Sequence, residues 1–323
     1  MEDKTLYGEG KYIYEMVDGW AKYPEGWSFV SVTGLAIDSQ DRVYVLNRGA
    51  HRVQVYDRDG NLLTGWDEKI RGHGCYIGPD NCFYLATGPD DPCHTVSKYT
   101  LEGELLLTLG NKDHPSDTGW VKKGNMAESC RQIKRGGPPF NLPANVAVSP
   151  SGEIYVCDGY GNARVHKFSP DGTLLLSWGE PGYGPGQFRI SHGIWVDKQE
   201  RVLVADRENN RIQIFNSQGE FLSQWTNLYR PTDIFIDDEG IVYVTEFNAR
   251  LSIFTIDGEL LARFGSGWLG FAGEEQSEET ALFAVPHAVV VDSKGAVYVG
   301  DVGHSILGID RGPKALLKFT RRT

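Results

Sequence analysis

The feature that most constrains the fold of this chain is a repeated pattern of short strands. Six segments each contain an apolar strand, a polar turn and a second strand rich in Val and Tyr, and they begin at positions 33, 73, 144, 192, 232 and 287. A repeat of about 20 to 50 residues is typical of propellers and solenoids, in which neighbouring units bury each other's apolar faces. The chain is therefore expected to contain six copies of one small β unit.

Each unit offers two further strands. A third strand, such as RVQVYDRDG or RVHKFSPDG, ends in a turn with glycine, and a fourth strand follows, as at residues 174–178. No apolar stripe with a 3.6-residue period is long enough for a major helix. We therefore predict an all-β fold, a six-bladed β-propeller with four-stranded blades around a central channel. A solenoid is the alternative.

The ends of the chain are expected to complete the last blade. The sixth unit has no outer strand after residues 315–320, and residues 11–17, KYIYEMV, have strand character. Pairing of these two segments would complete the sixth blade and leave no unpaired strand in the ring. We predict one propeller domain over residues 1–323, with residues 1–32 as closing strand and lead-in. Residues 110–143 and 265–286 interrupt the period, and loops of this length are candidate lids over a site.

Composition excludes several classes of partner. Lys and Arg number 32 against 43 Asp and Glu, a net charge of -11, without a basic cluster that could bind nucleic acid. Apolar runs are far shorter than the ~20 residues needed to cross a bilayer, and the segment MEDKTLYGEG has no apolar stretch of the kind expected in a signal peptide. We expect a cytoplasmic monomer that binds neither membrane nor nucleic acid. The five cysteines are expected to be mostly free thiols.

Histidine alternates around the predicted ring. The first residue of the innermost strand is, in blade order, Thr33, His73, Ala144, His192, Thr232 and His287. Alternate blades lie about 120° apart around the axis of a six-bladed propeller, so three such side chains would converge. Three imidazoles with an open position suit a divalent ion, zinc by default and iron(II) as a second possibility. The alternative is that these histidines merely pack at the channel mouth.

The loops after the second strands carry further candidates. Arg48 and Arg207 stand at the first loop position of two blades, and two guanidinium groups beside a metal favour a small-molecule or peptide substrate with a carboxylate. The loop of the third blade is one residue longer and carries Tyr160. Neighbouring positive charge lowers the pKa of a phenol from about 10, so Tyr160 could serve as a general base. Taken singly, each could also be an ordinary loop residue.

Several strings carry a resemblance to a known family. The repeat consensus resembles the NHL repeat, and DGYGNARVHKFSPDG, VADRENNRIQIF, NRGAHRV and PHAVVV are similar to the catalytic core of peptidyl-α-hydroxyglycine α-amidating lyase. The resemblance spans most of residues 33–310. It implies a metal, usually zinc, held by three histidines, a tyrosine base, and arginines that bind carboxylate and stabilise charge. At the matching positions, this chain has His73, His192 and His287 as the implied metal ligands and Tyr160 as the implied base. The implied arginines are Arg48 and Arg207.

The chain departs from that family at two positions. Ala288 follows His287 where the family has an Asp that binds structural calcium, which puts that calcium in doubt. Gly161 stands where the family has a disulfide cysteine. These departures, and the expected cytoplasmic location, indicate that the same chemistry could act on a different, smaller hydroxylated substrate.

The reaction implied by the resemblance is carbon–nitrogen lysis. An N-acyl-α-hydroxyglycine, R-CO-NH-CH(OH)-COO⁻, would yield an amide and glyoxylate without a redox cofactor. One alternative is another metal-dependent propeller lyase or hydrolase on a small hydroxylated carboxylate; a lactonase would need a calcium site lined by carboxylates and Asn. The other is a non-catalytic NHL propeller that binds a protein, which predicts no bound metal.

Overall fold

The computed structural model describes residues 5–66, 71–89, 93–265 and 282–322, and nearly all of its regular structure is β-strand. The first strands are β1 (Leu6–Glu9), β2 (Tyr12–Val17), β3 (Val32–Ile37), β4 (Val43–Asn47), β5 (Val53–Tyr56) and β6 (Leu62–Trp66). They are followed by β7 (Gly74–Ile77), β8 (Phe83–Ala86), β9 (Val96–Tyr99), β10 (Leu105–Leu109) and the short helix α1 (Met126–Cys130).

The middle of the chain contains β11 (Asn145–Val148), β12 (Ile154–Asp158), β13 (Arg164–Phe168), β14 (Leu174–Trp178), β15 (Glu180–Pro181), β16 (Gln187–Phe188), β17 (Ser191–Val196), β18 (Val202–Asp206), a 3-10 turn (Arg207–Asn209), β19 (Arg211–Phe215) and β20 (Phe221–Trp225). The last part contains β21 (Pro231–Ile236), β22 (Val242–Glu246), β23 (Arg250–Phe254), β24 (Leu260–Phe264), β25 (Pro286–Val291), β26 (Val297–Asp301), the helix α2 (Gly303–Leu307), a second 3-10 turn (Gly312–Ala315) and β27 (Leu316–Arg321).

These strands form six large sheets. Strands β3 to β6, β7 to β10, β11 to β14, β17 to β20 and β21 to β24 each form a four-stranded sheet in chain order. The sixth sheet has the order β1-β2-β27-β26-β25 and so gains a fifth strand, while β15 and β16 form a small parallel pair. The predicted fold class, an all-β six-bladed β-propeller, is confirmed.

The N-terminal strand joins the C-terminal blade. Strand β2 pairs antiparallel with β27, with Met16 opposite Phe319, and β25 of the same sheet carries His287. This is the pairing expected for residues 11–17. The chain comprises two compact units, residues 1–70 with 232–323 and residues 71–231, and the sheets of β7 to β20 lie in the second. A single domain over the whole chain stays a prediction.

A buried carboxylate at the end of the second strand fixes the segment that leads into a blade. Asp158 accepts the backbone N–H of Asn141 at 3.0 and 2.9 Å, and Asp206 accepts that of Arg189 at 2.8 Å. Both carboxylates are fully buried, so these hydrogen bonds satisfy groups that have no access to water. The innermost strands that follow these segments therefore begin at defined positions.

The loop at residues 110–143 is described in full and packs onto the third blade. Cys130, at the end of α1, and Ile133 are buried in the same apolar cluster as Tyr160. The hydroxyl of Thr118 donates to the carbonyl oxygen of Gly161 at 2.6 Å. The loop thus buries the segment that carries Tyr160, and its action as a lid stays a prediction. Residues 266–281 of the other candidate lid lie outside the described residues.

All five cysteines are free thiols, as expected. Among the described residues, none of the helices has the length and apolar character needed to cross a membrane.

Candidate active site

Two of the alternating histidines lie together in the second unit. His73 directly precedes β7, and its backbone N–H donates to the carbonyl oxygen of Ala86 at 2.8 Å. His192 is the second residue of β17. Both side chains are buried, and the centroids of their rings are 4.9 Å apart. The repeat therefore places two imidazoles side by side at the start of alternate innermost strands.

The repeat also sets the protonation pattern of His73. Its Nδ1 lies 2.9 Å from the carbonyl oxygen of Ala144, which holds the same repeat position in the next blade. A carbonyl oxygen only accepts, so Nδ1 carries a proton, and in the neutral imidazole Nε2 then keeps its lone pair. In the first unit, His287 makes the equivalent contact, with Nδ1 2.7 Å from the carbonyl oxygen of Thr33. This is the tautomer in which a histidine ligates a metal through Nε2.

Tyr160 lies against both imidazoles of the second unit. Its hydroxyl oxygen is 2.7 Å from Nε2 of His73 and 2.8 Å from Nε2 of His192, and the side chain is 4% exposed. Two Nε2 atoms thus converge on one oxygen atom. A phenol in this position can exchange a proton with any group that approaches the two nitrogens.

Arg207 is the third member of this cluster. It begins the 3-10 turn after β18, and its Nη1 donates to the Tyr160 hydroxyl at 3.3 Å. Burial lowers the pKa of Arg207, but the attraction of Tyr160 and Glu208 outweighs burial and holds that pKa above its usual value. Since the Coulomb attraction is mutual, the guanidinium favours the phenolate form of Tyr160.

Glu208 is a member of the cluster that sequence reasoning missed. Its Oε1 accepts a hydrogen bond from Nε of Arg207 at 3.0 Å. Burial raises the pKa of Glu208, but the positive charges of Arg207 and Arg230 reverse the effect and lower it overall. The sequence contained one indication of this contact, because Glu208 directly follows Arg207 in VADRENN.

The remaining two candidate residues, Arg48 and His287, lie in the first unit. Arg48 follows β4, and its backbone N–H donates to the carbonyl oxygen of Ser31 at 2.9 Å. The structure therefore brings His73, His192 and Tyr160 together with Arg207 in one unit, and describes Arg48 and His287 in the other.

The segment that carries Tyr160 is fixed by close backbone approaches. A Cβ atom on Gly159 would lie 2.1 Å from the carbonyl oxygen of Ser191, and one on Gly161 would lie 2.2 Å from Oδ1 of Asn141. The N–H of Gly161 also donates to the carbonyl oxygen of Asn141 at 2.9 Å. Glycine on both sides lets the chain pass close to its neighbours and hold Tyr160 inward.

Comparison with known proteins places the chain in a family. The model of the NHL repeat matches residues 29–56, 140–168 and 188–215. NHL repeat-containing protein 3 from Homo sapiens is 32% identical over 310 residues, which cover 91% of this chain and 82% of that protein. The chain belongs to the NHL-repeat family. In this NHL-repeat protein, the second match contains Tyr160, and the third contains His192 and Arg207.

Amidating lyases are also among the relatives of this NHL-repeat protein. Peptidyl-alpha-hydroxyglycine alpha-amidating lyase 1 from Drosophila melanogaster is 32% identical over 183 residues, which cover 52% of this chain and 30% of that protein. A gluconolactonase structure from Xanthomonas campestris covers 97% of this chain and 91% of its own, with a TM-score of 0.59 at 13% identity. The lactonase likeness shows the fold alone, whereas the resemblance to amidating lyases is confirmed.

Proposed function

We propose that this NHL-repeat protein is a metal-dependent carbon–nitrogen lyase that cleaves an N-acyl-α-hydroxyglycine into an amide and glyoxylate. The observation that carries the proposal is the Tyr160 hydroxyl, which lies within hydrogen-bonding distance of two imidazole Nε2 atoms and of Arg207. Relatives named as amidating lyases support the reaction class.

The donor set fits a divalent ion. We propose His73, His192 and His287 as ligands, because three imidazoles are a set that could hold a metal ion. The hydrogen bonds from Nδ1 of His73 and His287 to carbonyl oxygens favour ligation through Nε2. Zinc is our first choice and iron(II) our second. Such an ion would supply Lewis acidity to the carbinol oxygen of the substrate.

The side chains of the protein would then transfer the proton of the carbinol hydroxyl and stabilise the negative charges of the phenolate and of the substrate carboxylate. As a phenolate, Tyr160 takes the proton of the carbinol hydroxyl, the C=O bond of glyoxylate forms, and the C–N bond breaks. The departing amide nitrogen accepts a proton, which Tyr160 can return, so that no proton is gained or lost over the cycle. Arg207 stabilises the phenolate, and we assign the substrate carboxylate to Arg48.

The test combines metal analysis with an assay. The purified protein is loaded with zinc, and glyoxylate release is measured from N-benzoyl-α-hydroxyglycine, with N-benzoylglycine, which lacks the hydroxyl, as the control substrate. We expect one metal ion per chain and glyoxylate from the hydroxylated compound alone. A metal-loaded protein that releases no glyoxylate would contradict the proposal, and a protein that binds no metal would favour a binding propeller.

A further inference from the structure

A single carboxylate oxygen holds two guanidinium groups, and one of them, that of Arg207, contacts Tyr160. Oε1 of Glu208 accepts hydrogen bonds from Nε of Arg207 at 3.0 Å and from Nη2 and Nε of Arg230 at 2.6 and 3.1 Å. The three side chains are 15%, 5% and 17% exposed, so little water reaches the group. Charge-assisted hydrogen bonds of this kind are strong and directional.

Backbone hydrogen bonds hold both Glu208 and Arg230 in place. The N–H of Glu208 donates to the carbonyl oxygen of Arg189 at 3.0 Å. Arg230 has a φ of +47°, and its N–H donates to Oδ1 of Asn210 at 2.9 Å. A non-glycine residue in the left-handed region persists only where its surroundings hold it. The carboxylate and the second guanidinium are therefore fixed from two separate segments.

The geometry links Glu208 to the proposed base through Arg207. Arg207 uses Nε toward Glu208 and Nη1 toward Tyr160. The guanidinium is rigid and planar, so a hydrogen bond that fixes Nε also fixes the direction of Nη1. Without the carboxylate, Arg207 and Arg230 would repel each other in a poorly solvated place, and Arg207 would leave its position against the phenol.

We propose that Glu208, itself held by Arg230, is a positioning residue that fixes Arg207 against Tyr160. Glu208 acts through Arg207 and does not touch the substrate. The turnover part of this inference rests on the proposed function, because it is measured as glyoxylate release. The position of Arg207 can be measured without turnover.

The first experiment is a double-mutant cycle on kcat and KM. Glu208→Gln keeps the shape of the side chain and removes its charge. We expect kcat to fall about 10–100-fold, as is usual when a partner behind an active-site group is lost, with KM within about twofold of wild type. In an Arg207→Lys background, the same change should lower kcat by less than about twofold, because the effect passes through Arg207. Glu220→Gln, on an exposed turn of the same unit, is the matched control.

The second readout is the NMR signal of the Arg207 Nε–H group, assigned by its loss in Arg207→Lys. It should be sharp and slow to exchange in the wild-type protein and broadened or lost in Glu208→Gln, with the rest of the amide spectrum unchanged. Arg230→Lys keeps the positive charge but cannot donate two hydrogen bonds to Oε1 of Glu208, as Arg230 does. We expect a smaller loss of kcat in this variant than in Glu208→Gln. It replaces Glu208→Gln in both experiments if that variant does not fold.

The outcomes separate the two proposals. A wild-type protein without glyoxylate release contradicts the proposed function, and the NMR signal then decides the positioning role by itself. An unchanged Arg207 signal in Glu208→Gln overturns that role. If the wild type is active, normal kcat in Glu208→Gln, or a full further loss in the Arg207→Lys background, also overturns it.

Discussion

Replacement of Tyr160 by Phe separates proton transfer from metal binding. The Tyr160 side chain is 4% exposed, and its ring meets the His73 ring edge-on at a centroid distance of 4.9 Å. Phenylalanine keeps these ring contacts and removes one oxygen atom. That oxygen lies 2.7 and 2.8 Å from Nε2 of His73 and His192 and 3.3 Å from Nη1 of Arg207. The substitution therefore deletes the proton acceptor and little else.

The expected loss of rate follows from the role of the oxygen. Loss of a general base typically costs 10²–10⁴ in rate, which corresponds to about 3–5.5 kcal/mol of transition-state free energy. A hydrogen bond contributes about 0.5–1.5 kcal/mol to folding, so the loss of the three contacts of this hydroxyl should lower the free energy of unfolding by about 1.5–4.5 kcal/mol. Metal content should stay at the wild-type value, because no proposed ligand is altered.

The assay is glyoxylate release at saturating substrate, with metal content measured on the same sample. Tyr155→Phe is the control, since Tyr155 is buried on β12 of the same blade and its hydroxyl donates to Glu153 at 3.3 Å, away from the histidines. We expect this control to retain near-normal turnover. A Tyr160→Phe protein with full metal and near-normal turnover would refute the reasoning. Tyr160 would then be a packing residue, and another group would be the base.

Three further predictions address the metal, the packing of the tyrosine segment and pH. His192→Ala should lower metal content and activity together, measured by elemental analysis and glyoxylate release; loss of activity at full metal content would contradict its role as a ligand. Gly161→Ala should lower the free energy of unfolding in urea by about 1–3 kcal/mol, because the new Cβ would lie 2.2 Å from Oδ1 of Asn141. The pKa of Glu208 is below its usual 4.5, so the stability it contributes is present above about pH 4.5 and is lost as pH falls further. The stability gap between wild type and Glu208→Gln should therefore be full at pH 7 and shrink below pH 4.5, and a gap that does not shrink would contradict this assignment.

The fold could be predicted from the sequence because its signals are local and repeated six times. Each unit shows alternation of apolar residues and a turn with glycine, and such patterns depend on near neighbours in the chain. The expectation that residues 11–17 complete the last blade likewise needed only a strand pattern at each end of the chain. The additional strand β1, which pairs with β2, was not expected, because a segment of four residues is too short to show a clear strand pattern.

The candidate site was predictable in its residues but not in its contacts. Repeat register selected His73 and His192, and the length of one loop selected Tyr160. Register does not reveal where side-chain atoms meet, because that depends on rotamers and on segments far apart in the chain. Glu208 was missed for this reason. The sequence shows that it follows Arg207, but not that its Oε1 accepts hydrogen bonds from both Arg207 and Arg230.

By itself, the sequence determined the blade count, the strand pattern and the alternation of histidine, because each is a property of residues at fixed spacing. Only the tertiary structure decided that the Tyr160 hydroxyl meets two imidazoles 87 and 32 residues away in the chain and that Arg207 is directed onto it. The physical reason is that hydrogen bonds and Coulomb attraction act over a few ångströms in space. Folding sets those distances by burying the innermost strands and the loop at residues 110–143 around the phenol.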